Sequence, residues 1–150
     1  MIQKSNKIIT EAGTAAILNP ITDEGDFLVK SITEEYPRAF RCMQSIANDC
    51  LLSLGRLYNY HDITTQPKPE FLINICCSAQ VCNGVGLAAL EKALFIIATN
   101  FASKNYTYKA VAIPEVKSWE HNPEKQVIIE KLFSRYFINL KDIKVSYYYA

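Results

Sequence analysis

The stretch Ala15-Ala16-Ile17-Leu18-Asn19-Pro20-Ile21-Thr22, followed by Gly25, constrains the fold more than any other part of the chain. An apolar run of strand length, without polar alternation, reads as a strand buried on both faces. Such strands belong to parallel sheets covered by helices on either side. Open sheets of that kind take their ligands at the loops beyond the strand C-termini. The polar loop around Gly25 is therefore where a ligand is expected.

Apolar runs and helical periods alternate through the rest of the chain, the pattern of an α/β domain. Ile8-Ile9 and residues 15–19 read as N-terminal strand material. Residues 27–36 read as a helix broken by Pro37, which can open a second one over 37–54. That second helix carries Phe40, Met43, Ile46, Ala47 and Cys50 at three- and four-residue spacing, with Gly55 as its C-cap. Strands over 56–61 and 71–76 flank a polar, proline-marked loop at 64–69. The longest helix, over 85–103, has the stripe Leu87, Leu90, Leu94, Ile97 and Phe101. A strand over 108–114 follows, and Asn122-Pro123 then supplies an N-cap and a first-turn proline. The helix so opened buries Ile129, Leu132, Phe133 and Tyr136. Residues 143–149 form a last strand; at a sheet edge, the outward tyrosines of Tyr147-Tyr148-Tyr149 would offer a partner surface. No linker divides the chain, so residues 1–150 read as one three-layer α/β domain, a central mixed sheet flanked by helices.

Charge and cysteine usage narrow the function. With 150 residues, 49% of them hydrophobic, the chain is globular and long enough for a real core. A formal charge of +1 argues against an extended grip on nucleic acid but permits a small anionic ligand. No apolar run approaches the ~20 residues of a membrane span. Five cysteines, an odd number, with no signal-peptide pattern at Met1-Ile2-Gln3-Lys4, point to reduced thiols in the cytoplasm. Cys76-Cys77-x4-Cys82 lacks the two separated pairs of a zinc site and reads as structural thiols, so neither metal nor cofactor is expected. A nucleophilic Cys77 or Cys82 would need His61 or His121 beside it. His61, at a strand's end beside Asp62, reads as a solvated residue where the strand passes into a loop. Abundant Ile, Asn, Lys and Tyr suit an AT-rich genome such as many phages have, which would make the location a host cytoplasm.

Several segments, in order, resemble the macrodomain family, in the branch that includes the DNA-ADP-ribosyl glycohydrolase antitoxins. Ala16-Ile17-Leu18-Asn19-Pro20 is similar to that branch's first core strand and asparagine turn. Glu35-Tyr36-Pro37-Arg38-Ala39-Phe40 resembles its helix break, and Leu54-Gly55-Arg56-Leu57-Tyr58-Asn59-Tyr60 its glycine-led strand. Phe71-Leu72-Ile73-Asn74-Ile75 resembles its Ile-Asn strand, and Ala112-Ile113-Pro114 the strand that feeds its last phosphate loop. The resemblance implies a macrodomain-like fold and an ADP-ribose-related ligand. The departures lie where the family cradles the diphosphate between glycine-rich loops. Thr22 replaces the second asparagine of the first loop, and Gly25-Asp26-Phe27 stands where several glycines are expected. No glycine follows Pro114 in Glu115-Val116-Lys117-Ser118-Trp119-Glu120-His121. Asp26 and Glu115 would bring negative charge toward the phosphates. An uncompensated like-charge contact at about 4 Å costs on the order of 1–4 kcal/mol, enough to weaken binding tenfold or more.

The candidate ligand residues are Asn19, Thr22, Gly25, Asp26, Phe27, Asn83, Gly84, Gly86 and Trp119. Asn19 and Thr22 could orient a ribose or a water, or serve as turn residues bonding their own backbone. Asn83-Gly84-Val85-Gly86 could present a helix N-terminus to an anion, or make a tight strand-to-helix connection. Trp119 could stack on an adenine, anchor a protein partner, or fold back onto the core. Two functions follow. One is a non-enzymatic module with remodelled loops that holds an ADP-ribose-like ligand or a protein partner. The other is an ADP-ribosyl hydrolase acting on DNA or protein, with Asn19 and Thr22 positioning the water.

Overall fold

The computed structural model describes residues 2–78 and 84–150. Six strands, β1 (Gln3–Ile8), β2 (Ala16–Ile21), β3 (Leu57–His61), β4 (Phe71–Cys76), β5 (Ala110–Pro114) and β6 (Lys144–Tyr149), form one sheet in the order β1-β6-β5-β2-β4-β3. Every neighbouring pair is parallel except β3 with β4, so the sheet is mixed, as the sequence suggests. The helices are α1 (Lys30–Glu35), α2 (Pro37–Asn48), α3 (Gly84–Ala102) and α4 (Pro123–Phe137). Tyr60, on the face of β3 that also carries Asn74 of β4, feels the charges of Arg38 and Arg41 from α2. On the opposite face, Phe71 and Tyr147 meet Tyr108 and Phe133, which places α3 and α4 there. With helices on both sides, β2 is buried at all six of its residues, which is why it shows no alternation.

The structure shifts several element bounds. The N-terminal strand precedes Ile9, which starts a single 3-10 turn. The helix read over 27–36 shrinks to Lys30–Glu35, because Phe27 pairs back across the loop with Ile21 and Leu28 donates to the Pro20 carbonyl at 3.0 Å. The second helix stops at Asn48 with Asp49 as its C-cap, and the left-handed residue just beyond the cap is Cys50 rather than Gly55. Cys50 has φ 56°, its N–H reaches the Ala47 carbonyl at 2.9 Å, and the Leu51 N–H reaches the Ile46 carbonyl at 3.1 Å. That pair of bonds is a Schellman ending built on a residue with a side chain in the left-handed region. Cys50→Gly is therefore expected to raise the unfolding free energy by about 0.5–1 kcal/mol in a denaturant titration. Gly55 instead belongs to the turn before β3, donating to the Cys76 carbonyl at 2.6 Å.

Asn122 caps α4 as its sequence signal indicates, accepting from the Glu124 and Lys125 amides at 3.0 and 3.3 Å. Most of the α3 stripe is core: Leu90, Leu94, Ile97 and Phe101 are buried, and Leu87 is half-buried against them. Its window Val85–Ala102 is also long and apolar enough to cross a membrane by length and composition, although 39% of that window is buried against the protein. The final strand lies inside the sheet between β1 and β5, not at an edge. Tyr147 is consequently buried against Phe133, and the expected tyrosine edge surface does not form.

Candidate ligand site

Strands β2, β4, β5 and β6 run parallel, so their C-termini and following loops gather at one end of the sheet. The chain adds β4 on one side of β2 and later β5 on the other, which makes β2 the point where strand order reverses. A crevice is expected there. The register between β2 and β5 runs through Ala16 with Val111 and Ile17 with Ala112, whereas β2 stays paired to β4 as far as Ile21 with Cys76. Pro20, which has no N–H to give, sits in this upper part of β2.

The loop after β2 closes on itself. The Thr22 hydroxyl accepts from the Glu24 and Asp26 amides at 3.2 and 3.1 Å. The Thr22 amide donates to the Asp26 carbonyl at 2.8 Å, and the Gly25 amide to the Thr22 carbonyl at 3.0 Å. The amides of Thr22, Glu24, Gly25 and Asp26 are thus all occupied within the loop, none directed at a ligand. Gly25 has φ 84° and lies so close to α2 that a Cβ there would stand 2.9 Å from the Met43 carbonyl oxygen. The Asp26 carboxylate accepts from Gln44 at 3.3 Å, and the Phe27 ring meets Phe40 edge-on at 5.3 Å.

Asn19 lies two residues inside the end of β2. It is fully buried and donates through Nδ2 to Asn74 Oδ1 at 2.8 Å, its register partner on β4. Asn19 Oδ1 and Asn74 Nδ2 have no hydrogen-bond partner. The pair is a bond between strands beneath the crevice. Asn74 belongs to the resembling strand motif, but nothing in the sequence alone sets the register that joins it to Asn19.

After β5, the 3-10 turn Val116–Ser118 carries the chain toward α4. The Ser118 and Trp119 amides donate to the Glu115 and Val116 carbonyls at 3.0 and 3.1 Å. Glu115 stands 3.7 Å from Lys117, which offsets its charge. Trp119 is 8% exposed, its Nε1 directed at the Pro114 carbonyl and its ring edge-on to Phe133. This is the loop aromatic folded back onto the core, one of the readings its sequence allows.

Beyond β4, Cys82 and Asn83 lie outside the described residues. Gly84 opens α3 and Gly86 is buried in its first turn. The Cys77 thiol, which is fully buried, donates to the Ile75 carbonyl at 3.5 Å, and burial pushes it up to about 12. Burial does the same to Cys76, with the nearby Asp23 carboxylate adding to it. Neither thiol is poised as a nucleophile at neutral pH. His61 ends β3 and is exposed, as its sequence suggests; it stacks on Phe71 at 4.1 Å and meets Glu70 at 2.9 Å. Asp62, which the sequence offers only as the neighbour of His61, is buried, and its D-x-T spacing to Thr64 is the recognisable signal of an Asx turn.

No protein-family model matches the chain, and no curated protein matches its sequence. Solved structures do. The macrodomain of Mycobacterium tuberculosis DarG superposes with a TM-score of 0.75 at 19% identity, covering 100% of this chain and 99% of that one. The macrodomain of Thermus aquaticus DarG gives 0.75 at 14% identity, over 100% and 99%. Thermosipho africanus DarTG, solved in complex with ADP-ribose, gives 0.72 at 15% identity over 99% of this chain and 43% of that longer one. The chain has the macrodomain fold.

Proposed function

We propose that this macrodomain-fold chain is a non-catalytic binding module. Its crevice receives a nucleotide-derived ligand related to ADP-ribose without an amide cradle from the loop after β2. The observation that carries the reading is the self-closed loop after β2, whose four amides already have acceptors. The ADP-ribose bound by the structurally similar DarTG supports the ligand class. The acids Asp23, Glu24 and Asp26 in the same loop favour a ligand, or a partner protein's surface, with less negative charge at that point. Asn19, bonded between strands, and Thr22, bonded to its own loop, support binding over water activation.

Isothermal titration of the full chain with ADP-ribose and with adenosine tests this. ADP-ribose is expected to bind with Kd weaker than about 100 μM, roughly −5.5 kcal/mol, and within about tenfold of adenosine, because the diphosphate adds little. A low-micromolar Kd, or an advantage over adenosine of about a hundredfold, would overturn the reading.

A further inference from the structure

A second cavity lies at the opposite end of the sheet, between the α1–α2 junction and the segment joining β3 to β4. It measures about 180 Å³ and shares no residue with the loops after β2 and β5. An engineered cavity of about 150 Å³ admits benzene, so this one suits a ligand of roughly six to ten non-hydrogen atoms.

Its lining carries both signs of charge. On one side α2 begins, with Pro37 in its first turn, no acid there, and no side-chain cap. The N-cap residue Tyr36 sends its hydroxyl instead to the Pro69 carbonyl at 2.8 Å. The positive end of α2 therefore faces the cavity without an acid or side-chain cap of its own, with Arg38 beside it, while Lys68 is paired with Glu35 at 2.8 Å. On the other side is Asp62, 8% exposed. Its Oδ1 accepts the Thr64 amide and hydroxyl at 2.9 and 2.5 Å, bonds that hold the carboxyl below its usual range and hence ionised. Its Oδ2 is buried and accepts no hydrogen bond within the usual distance; it is ion-paired with Arg38 Nη1 at 3.7 Å, and the same Nη1 donates to Thr64 Oγ1 at 3.1 Å. A buried carboxylate oxygen without a donor is costly and marks a place where one is wanted.

A simple anion would meet Asp62 here, and a simple cation would meet Arg38, Lys68 and the helix end. A molecule with both charges a few ångströms apart satisfies both sides. We propose that this cavity binds a small zwitterion of the α-amino-acid class. The ammonium donates to Asp62 Oδ2, and the carboxylate lies against the N-terminus of α2 and the Arg38 guanidinium. Arg38, largely exposed, lies across Oδ2; as the ammonium takes its place, Arg38 exchanges its bond to Thr64 Oγ1 and its ion pair with Asp62 for the incoming carboxylate. The Tyr60 and Tyr36 rings wall the space.

The test is calorimetric titration of the full chain with glycine, L-serine and L-aspartate, and with acetate, methylamine and inorganic phosphate as single-charge probes. Saturable binding of at least one zwitterion below about 1 mM is expected, with acetate and methylamine at least tenfold weaker. Asp62→Asn keeps an acceptor for Thr64 and should weaken zwitterion binding tenfold or more. Arg38→Gln, at an exposed position, should do the same and serves if the first variant folds poorly. Three results would overturn the proposal: no saturable zwitterion; phosphate binding more tightly than every zwitterion; or affinity unchanged in both variants. Because the cavity is remote from the crevice, the outcome is independent of the ADP-ribose titration.

Discussion

Gly25→Ala is expected to lower the unfolding free energy by about 2–4 kcal/mol, read in a urea titration from the fluorescence of Trp119. Two costs add. At φ 84° an L-residue costs roughly 1–2 kcal/mol, and the new Cβ would stand 2.9 Å from the Met43 carbonyl oxygen, a backbone atom that cannot swing aside. The Ala47 Cβ and Gln44 Nε2, both at 3.1 Å, close the remaining space. Gly13→Ala separates the two terms. Gly13 has φ 66° but nothing within 4 Å of the added carbon, so only the conformational cost of about 1 kcal/mol should appear. Equal losses at the two positions would mean that the loop is not pressed against α2. The distinction bears on function, because that close approach holds the self-closed loop in place.

The buried amide pair should give the second large effect. Asn19→Val leaves Asn74 without the Asn19 amide that bonds it in a fully buried site, and a loss of about 2–4 kcal/mol is expected. Asn19→Val combined with Asn74→Val should lose less than either single change, about 1.5 kcal/mol or below. With both amides gone, no buried polar atom is stranded, and the side chains differ little in volume. Because Asn19 Oδ1 and Asn74 Nδ2 already lack partners, the native pair makes one bond where its amides could make more. A double-mutant cycle reads this as a coupling of opposite sign to the single losses. Additive losses would show that the two side chains act independently.

How much of this was legible in the chain differs from element to element. β2, β4, α3 and the start of α4 were readable because their signals are local: an unbroken apolar run, a 3.6-residue stripe, an asparagine–proline cap. The ends of α1 and α2 were not. Phe27 is held by a pairing with Ile21 across the loop, which outweighs its helical surroundings. Cys50 takes a left-handed position usually given to glycine, so Gly55 drew that assignment five residues late. The place of β6 in the sheet depends on where β1 docks, and no pattern within residues 143–149 reports that. At the site, the scarcity of glycine and the presence of acids in the loops were visible, but the fate of the amides was not. A threonine reads as an ordinary loop residue until its hydroxyl is seen to accept two N–H groups from its own turn.

The central claim concerns those amides, and NMR-detected exchange observes them one by one. In the free protein, the Thr22, Glu24, Gly25 and Asp26 amides should already be protected by the bonds within the loop. Adding ADP-ribose in large excess should leave their exchange rates and chemical shifts nearly unchanged. Fast exchange in the free protein, followed by protection and large shifts at these four amides when ADP-ribose is added, would contradict the account.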